Sequence, residues 1–275
     1  MIANGEERRI DVDGSFGAGA TTPADLALPL PDRIARFIDT RLPWLMRGII
    51  RMGSAWAGTL SSGDRTYHID GFDLAVDTGV APPVIEFHTE LLAGITDGHL
   101  IDLGCGSGYL TVFAAKAGAT VTALDINELA IKNTIKNAAA ACVGDRVTAR
   151  AGNILEEVAS EADYIVINPP WFEHPLGERF RATSSPMLWS GLFSQAKPRL
   201  TPTGELRIFL PRFRVPEIAA RARRAGWGDP EVRLHRRHGP RLTRWLKPVP
   251  LILPPMVVAT FHRGTVSGGG TTPVV

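Results

Sequence analysis

The chain has 275 residues, of which 44% are hydrophobic and 21% are charged. This composition is typical of a globular protein in water, and the length suffices for one catalytic domain with a small accessory part. Two cysteines, Cys105 and Cys142, provide neither a disulfide framework nor metal-ligand spacing. We therefore expect no metal site, and we expect a cytoplasmic location, where thiols stay reduced. The apolar run 248–260 is interrupted by prolines and is too short to cross a membrane.

The net charge of +2 conceals opposite charges along the chain. Residues 1–198 contain 16 basic and 24 acidic side chains, whereas residues 199–275 contain 14 and 4, so the two parts carry −8 and +10. The excess lies in a basic segment, Arg221 to Lys247, which contains Arg221, Arg223, Arg224, Arg233, His235, Arg236, Arg237, His238, Arg241, Arg244 and Lys247. Two interpretations stay open: a surface that contacts RNA or an acidic substrate, and a solvated surface without a partner.

The first elements in chain order predict a tail and a cap. The stretch from Met1 to Thr22 is polar and glycine-rich and lacks the features of a secretion signal, and residues 1–30 are expected to be a flexible tail. Residues 31–83 are predicted to form the cap, with a helix from Pro31 to Met52 indicated by apolar residues at helical spacing. A hairpin follows, in which strands Thr66 to Ile69 and Phe72 to Val76 flank Asp70-Gly71.

Residues 84–263 alternate between helical and strand patterns after a short helix from Val84 to Ala93. Seven strands are predicted at Leu100 to Leu103, Thr120 to Leu124, Arg146 to Ala151, Asp163 to Ile167, Glu205 to Leu210, Glu231 to His235 and Pro255 to His262. Helices are predicted between them at Tyr109 to Ala117, Glu128 to Ala141, Met187 to Lys197 and Pro216 to Ala225. This order predicts an α/β fold with a doubly wound, mostly parallel, Rossmann-like sheet of seven strands. Residues 264–275 are predicted to be a second flexible tail.

A glycine-rich turn follows the first of these strands. Its sequence is Asp102-Leu103-Gly104-Cys105-Gly106-Ser107-Gly108, and Tyr109 stands where the dinucleotide-binding fingerprint would have its third glycine. Asp125 ends the next strand, 21 positions beyond Gly104, where a carboxylate can accept both hydroxyls of a ribose. The pattern suits an adenosine that carries no phosphate.

This turn and Asp125 resemble the donor site of class I S-adenosylmethionine-dependent methyltransferases. The resemblance implies that S-adenosyl-L-methionine is the cofactor and that Asp125 holds its ribose. It further implies that the remaining contacts come from Asp102, Gly104, Cys105, Gly106 and Gly108 around the methionine part, from Ile126 and Asn153 around the adenine, and from Asn168.

A second motif, Asn168-Pro169-Pro170-Trp171, follows the fourth strand. Prolines have no N–H group, so this corner offers carbonyl acceptors and the Asn168 side-chain oxygen to a substrate N–H, and Trp171 offers a face for stacking. The corner, together with residues 76–83 and 87–92, resembles small methyltransferase domains that methylate glutamine side chains of release factors and ribosomal proteins, or exocyclic amines of RNA bases. The resemblance implies an N-methyltransferase whose catalytic residues are Asn168, Pro169, Pro170 and Trp171.

The methyl acceptor stays open between a small amine or amino-acid-derived metabolite and a macromolecule, either a protein glutamine or an RNA base. Two other functions are alternatives: a non-catalytic nucleic-acid-binding protein with the same fold, and an NAD-dependent oxidoreductase, which the G-x-G-x-G spacing disfavours. His88 and Glu90 are interpreted as polar residues on a helix face, and Trp189 and Phe193 as core residues. Glu173 and His174 are further candidates for substrate contact.

Overall fold

A computed structural model describes residues 30–42, 44–45, 47–48, 63–83, 88–156, 158–171, 186–235 and 255–264. Several predicted features lie outside the described residues: residues 1–29 and 265–275 of the tails, Glu173 and His174, and residues 236–247 of the basic segment.

Strands β1 (Arg65–Ile69) and β2 (Phe72–Val76) form the predicted hairpin. Its tip, Asp70 and Gly71, has φ angles of 44° and 75°, which is the left-handed conformation that a tight hairpin turn requires.

Seven strands form one sheet. They are β3 (His99–Leu103), β4 (Thr120–Asp125), β5 (Val147–Ala151), β6 (Ala162–Ile167), β7 (Leu200–Pro211), β8 (Glu231–Leu234) and β9 (Met256–His262). Their order is β5-β4-β3-β6-β7-β9-β8, and only the pairings of β9 with β7 and with β8 are antiparallel. The predicted mostly parallel, seven-stranded sheet is therefore confirmed.

Helices cover both faces of this sheet. They are α2 (His88–Leu91), α3 (Tyr109–Ala117), α4 (Glu128–Ala140), α5 (Pro186–Ala196) and α6 (Val215–Arg224). One hydrophobic cluster joins strand residues such as Val166 to α3, α4 and the hairpin, and the other joins Ile165 and Ile167 to α5 and α6. Neighbouring residues of β6 thus face opposite layers, which explains why the central strands are apolar throughout. The fold is doubly wound, as predicted.

The first helix, α1 (Leu30–Arg41), packs against a short 3-10 turn, Arg212–Arg214, which directly follows β7. The hairpin instead packs on α4, so the two parts of the predicted cap contact different regions of the core. Apolar spacing correctly predicted that a helix starts here, but the predicted end at Met52 was wrong: α1 ends at Arg41, and residues 49–52 lie outside the described residues. The spacing also did not indicate which face is buried, because Ile34 and Phe37 are more than half exposed.

One strand boundary was predicted wrongly. Strand β7 begins at Leu200, whereas the sequence indicated Glu205, because Pro202 and Gly204 are typical of turns. The structure accommodates them by a shift of register against β6, where Ala162 pairs with Leu200 but Tyr164 pairs with Glu205. The other strand ends agree with the sequence prediction to within one residue.

Candidate active site

The carboxyl ends of four parallel strands bring the two predicted halves of the site together. Leu103, the last residue of β3, pairs with Leu124 on one side and with Ile167 on the other. The glycine-rich turn therefore starts between Asp125, the next residue of β4, and Asn168, the first residue after β6. In open α/β sheets, ligands bind at the carboxyl ends of the strands, at the point where the strand order reverses.

The glycine-rich turn depends on backbone conformations that only glycine adopts readily. Gly104, Gly106 and Gly108 have φ angles of 79°, 54° and 79°. At Gly108, the residue directly before α3, a Cβ atom would also lie 2.8 Å from the Cα of Thr134 on α4. The amides of Gly104 and Cys105 both donate to the Leu124 carbonyl, at 2.8 and 2.9 Å, which fixes the turn against β4.

Asp125 is oriented by backbone donors from two sides. The Gly106 amide donates to its Oδ2 at 3.0 Å and the Asn127 amide to its Oδ1 at 2.9 Å. Each oxygen keeps a further lone pair, so the carboxylate can still accept from two hydroxyls. Burial raises the pKa of this carboxyl, against the opposing effect of the amides. The next side chain, Ile126, is 57% exposed, which is unusual for a large apolar residue at the end of a buried strand.

These features fit the predicted cofactor. A Cβ atom added at Gly104 would meet no atom within 4 Å, so there is open space above the start of the turn. Asp125 supplies the paired acceptors that a ribose needs, and Ile126 supplies an exposed apolar face for a flat heterocycle.

Two predicted cofactor-binding residues have buried side chains. Asp102 is 1% exposed and accepts a hydrogen bond from Thr111 at 2.6 Å; burial raises its pKa to about 7. The Cys105 thiol lies 3.2 Å from the Thr134 hydroxyl, and burial raises its pKa as well. Both side chains support the turn from below, and a direct cofactor contact for either stays a prediction.

Asn153 lies beside Ile126 at the same edge of the sheet. Ala151, the last residue of β5, pairs with Asp125, and the next amide, that of Gly152, donates to the Asp125 carbonyl at 3.0 Å. Asn153 is exposed. Asn153 therefore follows β5 at the edge of the sheet where Asp125 ends β4, and its contact with adenine stays a prediction.

Two tryptophans organise the Asn168 to Trp171 corner. The Trp171 indole N–H donates to Asn168 Oδ1 at 3.1 Å, and the Trp189 indole N–H donates to the Pro170 carbonyl at 3.1 Å. Trp171 also packs edge-on against Phe209. Trp189 and Phe193 are buried, as predicted for core residues. Among the described residues, no donor reaches the Pro169 carbonyl, which leaves it and the second lone pair of Asn168 Oδ1 as acceptors.

Several polar contacts around the site were not predicted. His88, interpreted as a helix-face residue, lies with Nδ1 2.5 Å from the Tyr109 hydroxyl and Nε2 2.9 Å from Asp70, so it links the hairpin tip to the start of α3. Asn137 of α4 donates to the carbonyls of Ala75 and Ser107, which ties the hairpin to the glycine-rich turn. Two asparagines four positions apart on α4, Asn133 and Asn137, were the available sequence signal for this inward polar face.

The basic segment is less uniform than its composition indicated. His235 is buried, with Nδ1 3.1 Å from Glu90, so it is not part of a basic surface. Arg221 and Arg223 pair with Glu217 and Asp229. Composition could not predict these ion pairs, because it gives the number of acidic residues and not which arginines they contact.

A family model, the methyltransferase small domain, matches residues 76–218, just over half of the chain. The chain belongs to this family. Membership of this family confirms the predicted relationship to class I S-adenosylmethionine-dependent methyltransferases.

Three curated relatives match part of the chain. Ribosomal protein L11 methyltransferase of Oceanobacillus iheyensis is 40% identical over 97 residues, covering 34% of this chain and 31% of its own. Ribosomal RNA small subunit methyltransferase C of Marinomonas sp. is 34% identical over 129 residues, covering 46% and 35%. tRNA1(Val) (adenine(37)-N6)-methyltransferase of Glaesserella parasuis is 32% identical over 123 residues, covering 41% and 51%. The aligned part thus spans about a third to a half of each relative.

Solved structures show the same fold at low identity. TYW2 of M. jannaschii, solved in complex with AdoMet, has a TM-score of 0.50 at 16% identity and covers 74% of this chain and 87% of its own. SMU.776, solved in complex with SAH, has a TM-score of 0.51 at 14% identity, covering 72% and 56%. Among the described residues, no helix is long and apolar enough to cross a membrane.

Proposed function

We propose that the protein is an N-methyltransferase that transfers a methyl group from S-adenosyl-L-methionine to an amino or amide nitrogen held at Asn168 and Pro169. The observation that carries the proposal is the pairing of Leu103 with Ile167. It sets the turn that would hold the donor beside the corner that would hold the acceptor, at the ligand-binding edge of the sheet.

When bound, S-adenosyl-L-methionine supplies an electrophilic methyl group on a sulfonium, whose neutral thioether leaves readily. The protein therefore has to align the attacking nitrogen rather than assist departure. The nitrogen of an amide or an aromatic amine has a delocalised lone pair. Two acceptors on its hydrogens, Asn168 Oδ1 and the Pro169 carbonyl, favour the pyramidal form whose lone pair is free to attack, and they stabilise the positive charge that develops there.

No general base is required in this mechanism, because the methylated nitrogen can release its proton to water after the transfer. The hydrogen bond from Trp171 supports the alignment of the substrate nitrogen by fixing the rotamer of Asn168. Trp189 does the same for the backbone by engaging the Pro170 carbonyl, so Pro170 has a structural part in the corner. On the donor side, Asp125 would hold the ribose and Ile126 would cover the adenine.

The three relatives are named for methylation of a ribosomal protein, a ribosomal RNA and a tRNA adenine. These names support a macromolecular acceptor over a small metabolite. They do not favour protein over RNA, since both kinds of acceptor nitrogen suit the same pair of oxygens at the corner.

Asn168→Ala tests the proposal. Loss of one preorganised acceptor is expected to lower turnover about 10²- to 10³-fold, while the affinity for S-adenosylhomocysteine stays within about threefold of wild type. Turnover is measured as transfer of labelled methyl to fractionated RNA, protein and metabolites, and affinity by calorimetry. An Asn168→Ala protein with wild-type turnover would refute the role of the corner, and calorimetric binding of NAD in place of S-adenosylhomocysteine would refute the donor assignment.

A further inference from the structure

Helix α1 buries its acidic residues and exposes its basic and apolar ones. Asp32 is fully buried and accepts from two guanidinium nitrogens of Arg212, at 2.6 and 3.2 Å. About two turns further on, Asp39 is also buried and accepts from Arg214 at 3.2 Å. Residues 30–48 contain no other acidic side chain, so the outward face of α1 has none.

The outward face consists of arginines alternating with large apolar side chains. Arg33, Arg36 and Arg41 are exposed and form no ion pair within the described part of the chain. Phe37 is 56% exposed and Trp44, just beyond the helix, is 65% exposed. Arg33, Phe37 and Arg41 stand at every fourth position and therefore form one row along the helix surface.

Helix α1 is anchored at the edge of the sheet that carries the candidate active site. The turn Arg212–Arg214, on which α1 is held, directly follows β7. In β7, Ile208 pairs with Ile167, the residue before Asn168. Helix α1 is therefore anchored at the carboxyl edge, on the side of the corner that faces away from the glycine-rich turn.

We propose that the outward face of α1 binds single-stranded RNA next to the acceptor corner. Guanidinium groups bind phosphates and stack on bases, and exposed Phe and Trp rings provide sequence-tolerant stacking for unpaired bases. Unpaired bases are also those whose amino groups a corner such as Asn168 to Trp171 can reach. A helix that lies on a lipid surface separates its apolar and cationic faces, whereas here they share one row.

The inference deepens the proposed function, since it assigns the acceptor to RNA, and it is tested by binding alone. A fluorescein-labelled, single-stranded RNA of mixed sequence is titrated with the full chain and followed by anisotropy. The double variant Arg33→Glu/Arg41→Glu is expected to weaken binding at least tenfold. It should also reduce the slope of log K against log salt by about 0.7 for each phosphate that the variant no longer neutralises. Phe37→Ala is expected to weaken binding about tenfold.

The control is Lys132→Glu/Arg146→Glu, which makes the same change of charge at positions away from α1 and is expected to bind RNA within about twofold of wild type. The neutral pair Arg33→Gln/Arg41→Gln guards against misfolding caused by charge reversal. Calorimetry with S-adenosylhomocysteine runs in parallel, so that failure of the fold or of the donor site is seen separately.

Three results would overturn the inference while donor binding stays intact. In the first, wild type does not bind the RNA. In the second, the α1 variants and the control lose affinity equally, which would make the effect one of net charge. In the third, wild type binds vesicles containing phosphatidylglycerol through α1 but binds RNA independently of it.

Discussion

Trp171 contributes to the corner in a way that its position in the sequence did not indicate. An aromatic residue after two prolines was predicted as a stacking face, and its partly exposed ring keeps that prediction open. The structure adds the hydrogen bond from its indole N–H to Asn168, three residues earlier. A motif specifies residue types and spacing, whereas this bond depends on the rotamers of both side chains, and the packing of Trp171 against Phe209 determines one of them.

Trp171→Phe separates the two roles, because phenylalanine keeps an aromatic face and removes the donor. A hydrogen bond of this kind contributes about 1 kcal/mol, so we expect kcat to fall about five- to tenfold. KM for the acceptor should change by less than about twofold. Steady-state kinetics with the acceptor fraction identified by label transfer measures both. A rise in KM with unchanged kcat would instead show that Trp171 acts only by stacking.

Asp125→Asn tests the donor half. Asparagine keeps one acceptor oxygen but loses the charge and one of the two acceptors that a ribose would use, so we expect S-adenosylhomocysteine to bind about 10- to 100-fold more weakly. The matched control is Asp97→Asn, which changes an exposed aspartate before β3, at the opposite edge of the sheet. Equal affinity of the Asp125→Asn protein and the control would remove Asp125 from the site.

Among the elements, α1 shows most clearly what local pattern does not reveal. Apolar residues at helical spacing correctly predicted a helix, but the buried positions include Asp32 and Asp39. Their arginine partners, Arg212 and Arg214, lie 180 and 175 positions away in the sequence. Long-range ion pairs of this kind override the amphipathic pattern, and nothing in either segment alone indicates them. The hairpin, by contrast, depends on a local Asp-Gly turn and was predicted correctly.

Arg212→Ala is expected to destabilise the protein by about 3 kcal/mol, because it leaves the Asp32 carboxylate buried without its partner. We take the low end of the range for broken buried pairs, since Arg212 itself is partly exposed. Urea unfolding measures the change. In the double variant Asp32→Ala/Arg212→Ala, most of this stability should return. If the double variant is as unstable as the sum of both single variants, the pair does not hold α1 in place.

For the molecule as a whole, the fold was easier to predict from sequence than the surface. The alternation of strands and helices indicates a parallel sheet, so the position of the glycine-rich turn and Asp125 at the carboxyl ends of neighbouring strands could be predicted directly. Charge was harder to interpret. The basic segment reads as one surface in the sequence, yet His235 is buried and Arg221 and Arg223 are paired, whereas exposed arginines without an ion pair in the described part of the chain lie on α1, in the acidic part of the sequence.

The stability of the fold should depend on pH through Asp102. Burial raises the pKa of its carboxyl from 3.8 to about 7 in the folded protein. Between these values the unfolded chain has released a proton that the folded chain keeps, so this residue makes the free energy of unfolding fall as pH rises, and its effect levels off above about pH 7. Asp102→Asn can still accept from Thr111 and removes this titration.

The free energy of unfolding of Asp102→Asn, relative to that of wild type, is therefore expected to increase as pH rises from about 4 to about 7. Urea unfolding across this range measures the difference between the two proteins, in which groups that titrate in both cancel. Parallel pH curves for wild type and Asp102→Asn would show that the buried carboxyl does not retain its proton in the folded state.

If the corner presents a nitrogen to the methyl donor, the methylated atom must be a nitrogen, and its identity is the most direct measurement of the proposed activity. Protein, RNA and metabolite fractions are incubated with isotope-labelled S-adenosyl-L-methionine and with either wild type or Asn168→Ala, then digested and analysed by mass spectrometry. We expect wild type to place the label on an exocyclic amino or amide nitrogen and Asn168→Ala to place almost none. Label on a carbon or oxygen atom, or equal nitrogen labelling by both proteins, would contradict the proposed role of the corner.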